Sequence, residues 1–160
     1  MTRAEEGPRQ RIRIRPARPD EADALTRLTL ASKQSWGYGE EQMRLWAPQL
    51  TVSAGYIRRN AVFVAEREAD LLGYASVVRA PDAEAAVIGG RELRGGYYLD
   101  NLFVHPDEMR GGVGRALLLE AARWCRGRGV PSLCIVSDPN ARAFYERMGA
   151  VYLGDTPASA

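Results

Sequence analysis

The run Tyr97-Tyr98-Leu99-Asp100-Asn101-Leu102-Phe103-Val104-His105-Pro106-Asp107-Glu108-Met109-Arg110-Gly111-Gly112-Val113-Gly114-Arg115 decides how this chain folds. An aromatic and aliphatic segment ends in a turn, the turn leads into a glycine-rich loop, and the loop opens a helix that continues to Arg128. Leu117, Leu118, Ala121, Trp124 and Cys125 recur at helical spacing and give that helix one apolar stripe. Strand, glycine loop and helix start, in that order, make a place for phosphate. Unpaired backbone N–H groups converge where a helix begins, and glycines let the chain curl with no Cβ in the way. The expected ligand is therefore an anionic cofactor. The loop lacks the Lys-Ser or Lys-Thr pair of a kinase-type phosphate loop. A dinucleotide site would need a βαβ unit beginning at the N-terminus, and an acidic residue closing the next strand that is not already a helix cap.

Around this unit, 160 residues supply one hydrophobic core and fall short of two ordinary domains. Apolar and charged shares of 46% and 26% are those of a soluble globular protein, so residues 11–155 are expected to form a single domain. The polar stretch 1–10, with its Gly-Pro pair, reads as a disordered tail, and 156–160 as a flexible one. A formal charge of +2 is mild. Arg3, Arg9, Arg11, Arg13, Arg15 and Arg18 fit a solvated edge better than a nucleic-acid surface. Two cysteines, Cys125 and Cys134, are too few for a disulfide scaffold and lie in apolar settings, as reduced thiols do. No secretory leader opens the chain and no apolar run is long enough to span a membrane. A cytoplasmic protein is the expectation.

Ile12 and Ile14 alternate with arginines in a short strand that Pro16 and Pro19 end. Asp20 is placed to cap a helix with Leu25 and Leu28 on its inner side, which Trp36-Gly37-Tyr38-Gly39 breaks. A second helix starts near Glu40 and stops at Pro48, and a third spans Ser53 to Arg59. Val62 to Glu66 and Leu71 to Val78 read as a hairpin closed by the charged turn Arg67 to Asp70. Arg79 to Gly96, mostly alanine, glycine and charge, reads as a flexible excursion. Ser132 to Ser137 is apolar on both faces, as an interior parallel strand is. Asp138-Pro139 caps a helix carrying Phe144, Tyr145 and Met148, and Val151 to Leu153 starts one more strand.

Two segments together resemble the GNAT superfamily of acyl-CoA-dependent N-acyltransferases. Leu99 to Leu118 is similar to its central strand with the acyl-CoA pyrophosphate loop. Asn140-Ala141-Arg142-Ala143-Phe144-Tyr145-Glu146-Arg147-Met148-Gly149-Ala150 is similar to its Asn, Ala, Phe-Tyr and Gly segment. The resemblance implies an α/β fold, a mixed central sheet flanked by helices. It also implies acetyl-CoA as co-substrate, and a small-molecule or peptide amine as acceptor. There are two departures. Aligning Gly112 and Gly114 with the loop's last two glycines puts Met109 where the family has Gln or Arg, with Arg110 beside it. The family's seventh strand has no counterpart after Asp155: either the chain is shortened, or a sheet edge is left open for a partner chain, which implies a homodimer.

The roles follow from the resemblance. Met109, Arg110, Gly111, Gly112, Val113, Gly114 and Arg115 would hold the pyrophosphate, mainly through backbone N–H. The backbone of Leu102, Phe103 and Val104 would polarise the acyl carbonyl. Asn140 would meet the pantetheine arm or simply cap its helix. Tyr145 would protonate the leaving thiolate, or merely pack on the sheet. Asp100 is the candidate base, against the plainer reading of a surface carboxylate. His105, in a His-Pro turn, and Cys134, inside an apolar strand, are weaker candidates for base and nucleophile. Trp36 and Tyr38 would lie on the acceptor side. No His, Cys and carboxylate set has metal-site spacing, so no metal is implied.

Overall fold

The computed structural model describes residues 11–88 and 91–155, and the side chains of these outside 80–95. The expected tails 1–10 and 156–160 lie outside the described residues. Strand β1 (Arg13–Pro16) is followed by a 3-10 turn (Pro19–Glu21) and three helices, α1 (Ala22–Gln34), α2 (Glu40–Leu50) and α3 (Ala54–Arg59). Strands β2 (Ala61–Arg67), β3 (Asp70–Ile88) and β4 (Arg91–Val104) come next, then α4 (Val113–Gly127), β5 (Leu133–Ile135) and α5 (Arg142–Arg147). The sheet runs β1-β2-β3-β4-β5. Its first four strands pair antiparallel, and β5 pairs parallel to β4.

Period-two alternation splits the sheet into two packed faces. Phe63, Ala65, Ala75, Val77 and Leu99 meet Val113, Leu117, Leu118, Ala121 and Cys125 of α4. Val62, Val64 and Tyr74 meet Leu25, Leu28 and Ile57 on the other side, under α1 and α3. The apolar stripe expected on α4 is therefore its buried face. Gly73 lies where α4 crosses β3: a Cβ there would stand 2.7 Å from the Phe103 carbonyl oxygen, 3.1 Å from Val113 and 3.2 Å from Leu117.

Several expectations need correction. Residues 79–96 are not a loose excursion, because β3 and β4 continue through them as a long hairpin, pairing Arg79 with Tyr97, Ala80 with Gly96 and Ala85 with Arg94. Backbone ladders extend outward from an already paired segment without needing large side chains. Gly89 and Gly90 lie outside the described residues. Strand β5 is shorter than Ser132 to Ser137 and forms the outer strand on its side among the described residues, not an interior one. Val151 to Leu153 form no strand; Val151 is 80% exposed. Helix α2 does not stop at Pro48 but passes it and ends at Leu50, at the cost of the one backbone hydrogen bond that the proline cannot donate.

Asp20 caps nothing. Glu21, buried, takes the role by accepting from the Arg18 N–H at 2.7 Å, and it accepts from the Arg15 guanidinium at 2.6 and 3.1 Å. The Arg15 hydrogen bonds hold the Glu21 carboxyl below the usual carboxylate range, against the upward pull of burial. Because the folded value is the lower one, this stability is present above the unfolded pKa and is lost as pH falls through the folded value. Glu21→Gln is expected to cost about 1.5–3 kcal/mol at neutral pH. In urea melts followed from pH 7 downward, the gap between variant and parent should close on the acid side.

Candidate active site

Strands β4 and β5 pair only at Tyr97 to Leu99 against Leu133 to Ile135. Beyond Leu99 the edge of β4 that faces β5 is open. The parting begins at a β-bulge: Leu99 stands opposite Val77 and Asn101 opposite Ser76, so Asp100 is the extra residue. Further along, the His105 N–H bonds to the Leu72 carbonyl at 2.8 Å. Antiparallel alternation then turns the Phe103 N–H to β3, and those of Leu102 and Val104 to the open edge. Of the three residues expected to offer backbone donors, Leu102 and Val104 have amides that face the open edge. Phe103 has its amide committed to β3 and its ring against Tyr74, centroids 5.9 Å apart.

From this edge the chain enters the glycine loop. Glu108 is tied to Arg67, at the end of β2, by two contacts of 3.0 and 3.3 Å, which fixes where the loop starts. Arg110 and Gly112 both adopt the left-handed conformation, φ +67° and +87°. Gly112 is the N-cap of α4 and no side chain caps it. The first donor inside the helix is Ala116, to the Gly112 carbonyl at 3.0 Å. The N–H groups of Val113, Gly114 and Arg115 therefore precede the ladder and have no protein acceptor among the described residues. A Cβ on Gly114 would stand 3.3 Å from Phe144 and 3.6 Å from Val104, so this glycine lets the helix start, β4 and α5 draw together. Met109 and Arg110 are exposed on the same loop. Bare amides, the positive end of a four-turn helix and flanking Arg110 and Arg115 suit a diphosphate.

Tyr145 is buried on α5, its ring edge-on to Phe144 at 5.2 Å. Its hydroxyl has no hydrogen-bond partner among the described residues, and it is not sealed from solvent, since no buried side-chain polar atom there lacks a partner. Burial pushes the phenol up to about 12.

On the α1 side of the sheet, Asp100 is exposed at the bulge and accepts a short hydrogen bond from the Tyr56 hydroxyl. Ser76 lies 2.7 Å from that hydroxyl, and the Asn101 amide donates to it at 3.2 Å. Burial and the Asp100 carboxylate together raise the Tyr56 pKa, so it stays a donor. Sequence reasoning missed Tyr56, which stands 44 residues from Asp100 on a six-residue helix and carries no motif.

Asp138 forms a second junction. Its Oδ1 accepts from the Asn140 N–H and side-chain amide, both at 2.9 Å. Its Oδ2 accepts from the Tyr38 hydroxyl at 2.6 Å and from Lys33 Nζ at 3.2 Å. Burial pulls this carboxyl upward, and the bonds from Tyr38, Asn140 and Lys33 outweigh it, leaving its pKa below the usual range. Trp46 packs edge-on to Tyr38 at 4.8 Å. Asp138 is thus the cap of this turn and Asn140 the residue it caps, not the cap that one expected reading made it, and Tyr38 reaches the same turn from the α1–α2 loop. Trp36 is half exposed nearby, with no ring contact among the described residues. His105 closes a turn, its Nδ1 accepting the Asp107 N–H at 3.2 Å, and burial pushes the Cys134 thiol up, away from nucleophile chemistry. Among the described residues no group of three or more His, Cys, Asp or Glu is arranged to hold a metal ion, and no helix is long and apolar enough to cross a membrane.

A family model described as the acetyltransferase (GNAT) family matches residues 23–150. The chain belongs to this family. Solved structures share the fold. A GCN5-related N-acetyltransferase from Ralstonia eutropha, 16% identical, superposes with TM-score 0.71 over 93% of this chain and 98% of its own. The PaiA N-acetyltransferase of Thermoplasma acidophilum, solved with coenzyme A, is 18% identical with TM-score 0.67 over 87% of each chain. A GNAT family acetyltransferase from Brucella melitensis, solved with acetyl-CoA, is 23% identical with TM-score 0.57 over 84% and 82%. No curated protein matches the sequence. With the family comes the α/β architecture seen here, a mixed sheet flanked by helices and parted between β4 and β5.

Proposed function

We infer that this GNAT acetyltransferase moves an acetyl group from acetyl-CoA to a primary amine, of a small molecule or a peptide, by direct attack in a complex of both. The observation that carries this reading is a set of bare backbone donors on one strand–loop–helix unit. It has two parts, the Leu102 and Val104 amides on the open edge of β4 and, past a turn whose His105, Glu108 and Gly111 amides are bonded within the chain, the uncapped amides of Val113, Gly114 and Arg115. Acetyl-CoA supplies an activated thioester with a diphosphate at its far end. The loop from Met109 to Arg115 holds the diphosphate, and Asn140 borders the pantetheine arm from the opposite wall. Met109 in place of Gln or Arg removes one side-chain donor and leaves the backbone donors intact, which predicts weaker affinity and not its loss.

Leu102 and Val104 N–H groups are fixed in the strand before any ligand arrives, so they stabilise an oxyanion without reorganising. Tyr145 stays protonated at any working pH and keeps a donor aimed at charge developing on sulfur. A thiolate formed in the same desolvated place is a stronger base than in water, which narrows the gap between the two. Asp100, steadied by Tyr56, orients the incoming ammonium and passes its proton to water. Trp36 and Tyr38 border the acceptor. Holding two reactants in line supplies much of the rate.

Calorimetric titration with acetyl-CoA, paired with thiol release over a panel of amines, tests the reading. Binding in the micromolar range and amine-dependent thiol release are expected. Absence of binding at millimolar acetyl-CoA overturns it, and binding without release for any amine points instead to a CoA-binding protein that does not catalyse.

A further inference from the structure

All but one of the 22 basic residues in this chain are arginines; the exception is Lys33. This lone lysine is not on the open surface. It sits in the last turn of α1 with its side chain 18% exposed, and its Nζ lies 3.2 Å from Asp138, 5.4 Å from the centre of the Tyr38 ring and 5.1 Å from that of Trp46. Asp138 also holds Asn140, on the turn that leads into α5 and Tyr145. The chain's one primary-amine side chain therefore rests against the wall assigned above to the acyl carrier, beside the loop assigned to the acceptor. A guanidinium would pair with this carboxylate and stack on these rings at least as well, so pairing alone gives no reason for lysine here. What separates the two is chemistry. An ammonium releases a proton to become a nucleophile, whereas a guanidinium stays charged.

We propose that Lys33 is an internal acyl acceptor, taking an acetyl group from acetyl-CoA bound to its own chain. The inference rests on the acetyl-CoA reading above. Lys33 Nζ swings off Asp138 and gives one proton to water. A C–N bond forms to the acyl carbon as the C–S bond breaks. The proton displaced from nitrogen goes to the departing sulfur, leaving an acetyl-lysine amide, free CoA thiol and one proton in solution. The amide has no charge, so the ion pair with Asp138 and the cation contacts with Tyr38 and Trp46 are lost. Asp138 keeps Tyr38 and Asn140 and gains one unit of uncompensated negative charge beside the acceptor loop.

Full-length protein is incubated with acetyl-CoA without added amine, and the product is read by intact mass and peptide mapping. One acetyl group is expected on Lys33, at a rate independent of protein concentration. That rate should exceed the rate for the urea-unfolded chain by about tenfold or more, as positioning requires. Lys33→Arg, which keeps the cation, should show no side-chain acetylation. A folded rate no faster than the unfolded one, or one that climbs with protein concentration, overturns the proposal. Calorimetry on the same preparation separates the two failures: acetyl-CoA bound with Lys33 unmodified ends this inference alone, while no binding ends the reading beneath it as well.

Discussion

Tyr145→Phe is expected to lower kcat about a hundredfold or more, within the range general-acid groups contribute, while acetyl-CoA binds as before. The hydroxyl makes no hydrogen bond among the described residues, so its removal leaves no partner stranded. The ring remains in the core against Phe144, and stability should hold to within about 0.5 kcal/mol. A fall in turnover then reports chemistry and not unfolding. The pH profile adds a second reading. With a phenol that ionises near 12, the parent should show no alkaline decline from Tyr145 through pH 10. Stopped-flow thiol release and a calorimetric titration on both proteins make the comparison, and an unchanged kcat removes Tyr145 from the reaction.

The second large effect is structural. Gly73→Ala is expected to destabilise the protein by about 3 kcal/mol, at the upper end for overpacking, and so to lower Tm by roughly 6–12 °C. The new methyl carbon would stand 2.7 Å from the Phe103 carbonyl oxygen, a backbone atom inside the β3–β4 ladder that has no rotamer to escape into. On its other side are Val113 and Leu117, the first turns of α4. Relief by moving the helix would shift Val113 and Gly114, so acetyl-CoA affinity should weaken in the same variant even below its melting range. Differential scanning calorimetry and titration at 15 °C check the two halves. A Tm within a degree of the parent would mean that α4 does not press on β3 as closely as described.

Much of the fold was legible because local signals and tertiary packing agree in the β4–loop–α4 unit. Leu117, Ala121 and Cys125 could be paired with a sheet from spacing alone, and Asp138 declared itself as a cap by the proline after it. The glycines announced the helix start, and Gly112 uses the conformation that they permit. What escaped was either distant in sequence or carried by backbone alone. Lys33 and Asp138 are 105 residues apart, and Tyr56 and Asp100 are 44 apart. Hydrogen bonds across such gaps leave no periodicity behind. The hairpin extension through 79–96 needs only main-chain pairing, and composition is silent on that. Val151 to Leu153 showed the opposite failure: a strand-like run of apolar residues that finds no neighbour to pair with and stays exposed.

The single surplus residue at Asp100 acts on β4 as a phase shifter. Side chains and amides on a strand alternate like teeth, and inserting one position exchanges odd for even from there on. Below the insertion Leu99 points into the α4 core; above it, that direction passes to Leu102 and Val104. A gene encoding one codon fewer here would close the ladder, with Leu99 beside Val77 and Asn101 beside Ser76; the same amides would stay vacant, and what would go is the carboxylate that Tyr56 holds and the local bend of β4.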